Sequence, residues 1–152
     1  MLEVSVSIHH CICEGLRNIA LGDKALSEAL MDEEDLNMDR VKDSLDYYRQ
    51  ASIATREKDM ETEAIAMHRI GKVYGDVQKI ASAAHKYHFQ CVRLALTVMS
   101  PRIEQSEWYK YSLKKVQEHQ ERVALEEKVE YAKSRKPTVK RLKTKINKLS
   151  EE

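Results

Sequence analysis

At 152 residues, with 34% charged side chains, four glycines, two prolines and a formal charge of +1, the chain is one helix-rich domain's worth of protein. No apolar run approaches the ~20 residues of a membrane-spanning helix, the start Met1-Leu2-Glu3-Val4-Ser5 lacks the basic flank of a signal peptide, and three cysteines do not suggest a disulfide framework. These totals argue against a membrane protein or a stapled secreted domain, and the expectation is a soluble, cytoplasmic, all-α protein. The near-zero balance conceals polarity: Glu28 to Asp46 holds eight acidic residues against Arg40 and Lys42, whereas Lys128 to Lys148 holds nine basic ones against Glu130.

Near the amino end, Val4, Val6, Ile8, His10 and Ile12 alternate like a strand, while Val4, Ile8, Cys11, Gly15 and Ile19 also fit a helix. No second alternating run could pair with a strand there. A helix from about Ser5 or Ser7 to Leu30 is therefore expected, with Leu16, Ile19, Ala20, Ala25, Leu26 and Leu30 inward. Asp32-Glu33-Glu34-Asp35 reads as a solvated acidic loop, with Asp39 capping a helix that carries Val41, Leu45, Tyr48, Ala51, Ser52 and Thr55 inward. A further helix is expected to be capped around Asp59.

Ala64 to Leu96 organises the reading. Ala64, Met67, Ile70, Gly71 and Tyr74 share one helical face, Tyr74-Gly75-Asp76 is the expected join, and Ala83, Ala84, Tyr87, Cys91 and Leu94 continue the apolar face. Gly75 is expected to take the positive φ that ends the first helix, Asp76 to cap the second, and the small Gly71 and Ala83 to let the two axes approach. Ser100-Pro101 marks a boundary. Ser106 then caps a helix with Tyr109, Leu113, Val116, Gln120 and Val123 inward, and Trp108 and Tyr111 off that stripe. Pro137 is expected to break it, leaving a short basic helix in which Val139, Leu142, Ile146 and Leu149 share a face. The expected division is a helical domain over 1–134 and a basic amphipathic tail over 135–152.

The small and large positions at Met67, Ile70, Gly71, Tyr74, Ala83 and Tyr87 resemble a tetratricopeptide repeat, although Gln90 stands where a small residue is usual. Tyr48 and Tyr87 read as corresponding positions 39 residues apart, against a common period of about 34. The longer spacing is similar to that of the long-repeat subclass found in Pins-type spindle-orientation scaffolds and kinesin light chains. The resemblance implies stacked antiparallel hairpins in a right-handed superhelix, closed by a capping helix. It also implies a concave groove at Ile65, His68, Lys72 and Asp76, where Lys72 and His68 meet a partner's carboxylates; Trp108 and Tyr111 are added as candidate groove aromatics. Lys72 takes an Asn position and His68 a Lys position of the chaperone-binding carboxylate clamp, so chaperone binding is not expected.

His9-His10-Cys11-Ile12-Cys13 gathers possible metal ligands, but helical neighbours point about 100° apart and no second ligand pair exists, so no metal is expected. Cys91 near His88 and His85 reads as a buried thiol. With no phosphate loop or catalytic motif, no cofactor and no enzymatic activity are expected. The favoured function is a scaffold or adaptor holding a peptide or helix of a protein partner. The alternative is nucleic-acid or anionic-surface binding through Lys133, Arg135, Lys136, Lys140, Arg141, Lys143 and Lys145. Opposite charge on the tail and on the 32–46 region also permits head-to-tail self-association.

Overall fold

Small residues decide where the helices cross. The computed structural model describes the backbone of residues 2–150 and the side chains of residues 7–135 and 147. Its helices are α1 (Leu2–Ala29), α2 (Met38–Thr55), α3 (Met60–Lys72), α4 (Ala81–Thr97), the single turn α5 (Pro101–Glu104) and α6 (Glu107–Ser150); a π turn, Val73–Val77, extends α3. No strand occurs among the described residues, so the protein is all-α there. The chain forms two compact units, Met1–Val116 and Gln117–Glu152; the expected division at 134/135 lies inside the second.

In the first unit α1 and α2 form an antiparallel pair. A β-carbon on Gly22 would lie 2.4 Å from Tyr48 Cε1, and one on Gly15 would lie 2.4 Å from Thr55 Cγ2, so bare backbone lets the ring and the methyl seat against α1. The buried face of α1 is accordingly Gly15, Asn18, Ile19, Gly22, Ala25 and Ala29, whereas Leu16, Ala20 and Leu30 are exposed. The α2 face is as expected: Val41, Leu45, Tyr48, Ala51, Ser52 and Thr55 are all buried. Its cap is Asn37, whose side chain accepts from the Arg40 amide at 3.2 Å, rather than Asp39. Position 37 has the extended backbone that an N-cap requires.

α3 and α4 form the second antiparallel pair. Gly71 is the close-approach site, with the His88 ring 2.9 Å from where its β-carbon would be. Its counterpart is not Ala83, which is half-buried; Ala84 is buried instead, 3.2 Å from a β-carbon on Gly75. The expected join at Tyr74-Gly75-Asp76 is absent. No described glycine has positive φ, and the chain continues through the π turn before reversing at Lys79, φ 58°. The Gln78 amide donates to Val73 and the Ile80 amide to Tyr74, so Ile80, not Asp76, precedes α4. Single π turns of this kind are rare and occur mostly as bulges within α-helices, often at functional sites.

Among the described residues, three apolar clusters fill the first unit. Ala29, Val41, Leu45, Tyr48, Ile70 and Val73 join the two pairs, Ile19, Ala51 and Ala66 form a smaller group, and Val92, Ala95, Ile103, Tyr109 and Val116 seat α5 and the start of α6. Ser100 caps α5, accepting from the Ile103 amide, and Pro101 takes the first helical position, where its missing N–H costs nothing.

In the second unit α6 is helical through Pro137 to Ser150, so the expected break is not observed. Proline removes one amide donor and crowds the preceding turn. The surrounding Lys, Arg, Glu and Ala residues are strong helix formers and continue the helix past it. Gln120 and Val123, expected inward, are exposed in this unit. No described helix is long and apolar enough to cross a membrane.

Candidate functional site: a basic groove over a buried histidine pair

The first unit carries a groove of about 740 Å³. Its walls are Leu26, Ser27 and Leu30 of α1, Arg69 and Lys72 of α3, and Trp108, Lys110, Tyr111 and Lys114 of α6. Asp23 anchors the floor: its Oδ1 accepts from Tyr48 Oη at 2.6 Å and from Arg69 Nε at 3.0 Å, tying α1, α2 and α3 together. Burial and the hydrogen bond to this carboxylate both hold the Tyr48 phenol protonated.

Tyr111 is held on several sides. Its hydroxyl donates to the Asp76 carboxylate at 2.9 and 2.7 Å, its ring meets His68 edge-on at 5.3 Å, and Lys72 Nζ and Lys115 Nζ each lie 5.5 Å from the ring centroid. These cation–aromatic contacts place ammonium groups beside a fixed ring. The π turn carries Asp76, and thus the carboxylate that fixes Tyr111.

Beneath Tyr111 lies a polar centre. Ser112 is fully buried, and its Oγ lies 3.1 Å from His68 Nδ1 and 2.9 Å from His88 Nδ1. A hydroxyl has one hydrogen to give, so both contacts are satisfied when Ser112 donates to one imidazole and accepts from the other, the two rings holding opposite tautomers. Burial, aided by neighbouring positive charge, pushes His68 down to about 3. Burial also pushes His88 down to about 4, against the opposing pull of Asp76. Both are therefore neutral at ordinary pH. Cys91 beside them is fully buried and its thiol is pushed up to about 11 by desolvation, so it is protonated and shielded from attack chemistry.

Of the expected groove residues, His68, Lys72, Trp108 and Tyr111 line the groove, whereas Asp76 stands beside it as the acceptor for Tyr111. Ile65 packs against Ile19, Ala51 and Ala66 and does not line it. His68 is only 4% exposed and neutral, so of the two residues expected to meet a partner's carboxylates it brings no charge to the groove, whereas Lys72 is exposed. Sequence reading missed Asp23, Arg69, Lys110, Lys114 and Ser112. Ser112 did carry a signal: it falls between Tyr109 and Val116 on the inward stripe, where a polar residue needs an interior partner.

Elsewhere, the histidines and cysteines near the amino end make separate contacts. Cys13 Sγ lies 3.6 Å from His9, Lys58 Nζ lies 3.4 Å from Cys11 Sγ, and His10 approaches Glu14. Among the described residues no group of three or more His, Cys, Asp or Glu side chains is placed to hold a metal ion. In the tail, Lys133 and Arg135 are exposed, with Arg135 stacked 5.3 Å from the Tyr131 ring; the side chains of Lys136, Lys140, Arg141, Lys143 and Lys145 lie outside the described residues. Comparison with family models, with curated proteins and with solved structures finds no match.

Proposed function

We propose that the protein is a non-enzymatic interaction module, tetratricopeptide-like in arrangement, that holds an extended or helical peptide segment of a partner in the groove of its first unit. The observation that carries this reading is the groove's lining. Arg69, Lys72, Lys110 and Lys114 stand against Asp23 and Glu107 around the Trp108 and Tyr111 rings. An excess of cations beside Trp108 and Tyr111 suits a segment that offers carboxylates together with an apolar or aromatic side chain. The tetratricopeptide comparison is supported by the two antiparallel pairs, each closed by a ring seated on a glycine, Tyr48 on Gly22 and His88 on Gly71. In this reading α1, α3 and the start of α6 are the groove-lining helices, and the scaffold role is cytoplasmic.

Trp108 is the chain's single tryptophan and lines the groove, so its fluorescence reports occupancy directly. Titration with a library of acidic peptides carrying an aromatic residue should shift Trp108 emission saturably. Basic peptides of the same length should not. Lys72→Glu combined with Lys114→Glu should abolish the response while leaving helical content unchanged. If no acidic peptide moves the emission, or if the charge-reversed variant responds equally, the proposal falls.

A further inference from the structure

The second unit raises a separate question, because a helix without a packed face is marginal in water unless something covers it. Every described side chain from Gln120 to Arg135 is exposed, including Leu125 at 63%, Val129 at 45% and Tyr131 at 61%. Leu125, Ala132, Val139 and Ile146 recur at every seventh residue, with Leu142 and Leu149 three residues after the last two. This is the spacing of a two-helix seam, interrupted at its amino half by Lys128 and Arg135. The described members of the seam, Leu125 and Ala132, are exposed, as a seam awaiting a second helix must be.

Charge along the same helix indicates the occupant. Gln117 to Glu130 carries five glutamates against Arg122 and Lys128, whereas Tyr131 to Ser150 carries eight lysines and arginines and no acid. Two copies laid parallel would set each basic half beside the other. Laid antiparallel, the acidic half of one copy runs beside the basic half of its partner, and the two-fold relation repeats that match at both ends. We infer that residues 117–150 form a self-recognition helix that pairs with the same segment of a second copy, antiparallel, making the protein a homodimer. This docking is independent of the groove and would give the assembly two grooves joined through one helical pair.

The test is sedimentation of the full chain over a micromolar concentration range at low and high salt. Thermal melting and Trp108 emission check that residues 1–116 stay folded. The wild-type chain should be a dimer that weakens with salt. Leu125→Lys with Ile146→Lys should give a folded monomer. Reversing the acidic half, Glu126→Lys, Glu127→Lys and Glu130→Lys, should weaken the dimer about 10- to 100-fold. Adding Lys136→Glu, Lys140→Glu and Arg141→Glu should restore it, since the two halves again carry opposite charge. A monomeric wild-type chain, or a dimer indifferent to reversal of the acidic half, overturns the inference. So does a wild-type chain that stays monomeric and binds phosphatidylserine vesicles through its basic half.

Discussion

Replacing Gly22 by alanine tests the packing on which the groove floor depends. The added β-carbon would lie 2.4 Å from Cε1, 2.6 Å from Cδ1 and 3.0 Å from Cζ of Tyr48, a side chain with no exposed surface. The ring is also pinned by its hydroxyl, which donates to Asp23 at 2.6 Å while Arg69 holds the same carboxylate. Overpacking of this kind costs about 1–3 kcal/mol, and loss of a hydrogen bond to a charged group about 1.5–3 kcal/mol more. Alanine's better helix propensity returns about 0.5–1 kcal/mol. The balance is a loss of about 1.5–5.5 kcal/mol, a large share of the roughly 5–15 kcal/mol that holds an ordinary domain together. Urea unfolding followed by circular dichroism measures it. Pairing Gly22→Ala with Tyr48→Leu should make the glycine substitution far less costly than it is alone, since the clash is with the ring. If Gly22→Ala is as stable as the wild-type chain, or if the two substitutions simply add, the ring does not occupy the space left by the glycine and the reasoning is wrong.

The buried imidazoles make stability depend on acid. Both are held well below their ordinary value of 6.5, at about 3 for His68 and about 4 for His88, so on unfolding they gain protons that the fold refuses. Their contribution is whole above pH 6.5 and falls steadily as pH drops toward 4 and then 3, with a slope approaching about 2.7 kcal/mol per pH unit where both titrate only in the unfolded chain. Urea midpoints taken from pH 7 to pH 4.5 should decline, and His68→Gln should flatten the decline; an unchanged slope would remove His68 as a cause. Thiol labelling should separate the cysteines: Cys13 is exposed and should react with a maleimide at neutral pH within minutes, whereas Cys91 should react only on unfolding. Lys79 turns the chain with φ at 58°, a region costly for side chains but free for glycine, so Lys79→Gly should stabilise by about 0.5–1 kcal/mol in the same urea assay. Destabilisation would show that the lysine side chain has a structural role at the turn.

What could be read from the letters followed periodicity. The inward face of α2 was legible at Val41, Leu45, Tyr48, Ala51, Ser52 and Thr55 because it is a regular helix packed along one side; Ser44, buried with its hydroxyl donating to the Val41 carbonyl, was not foreseen. Gly71 was legible as a crossing point, although its partner proved to be the His88 ring rather than Ala83. In the amino-terminal helix the apolar Leu16 and Leu30 misled the eye. The contact face there sets Gly15, Gly22, Ala25 and Ala29 beside Asn18 and Ile19, and its two glycines leave room for the Thr55 methyl and the Tyr48 ring of α2. The π turn was illegible because neither residue took the role its own preference suggested: Gly75 lacks positive φ, and Asp76 accepts from Tyr111 instead of capping α4. The groove was only partly visible for a related reason. Lys72, Trp108 and Tyr111 could be placed by helical position, but the Asp23–Arg69 link spans separate helices and leaves no local trace. Pro137 carried a strong local signal that its helix-forming neighbours outweighed.

The glycines at 15, 22 and 71 are sites where a methyl or a ring from the adjacent helix already stands where their first side-chain atom would go. Variation at these positions is therefore blocked in the direction of added bulk, while the larger residues opposite can shrink at the cost of a void and of the hydrogen bond each makes. In a saturation survey of the chain, the smallest letters should tolerate the fewest replacements. Drift in this architecture would then run through Thr55, Tyr48 and His88, not through the bare backbone they rest on.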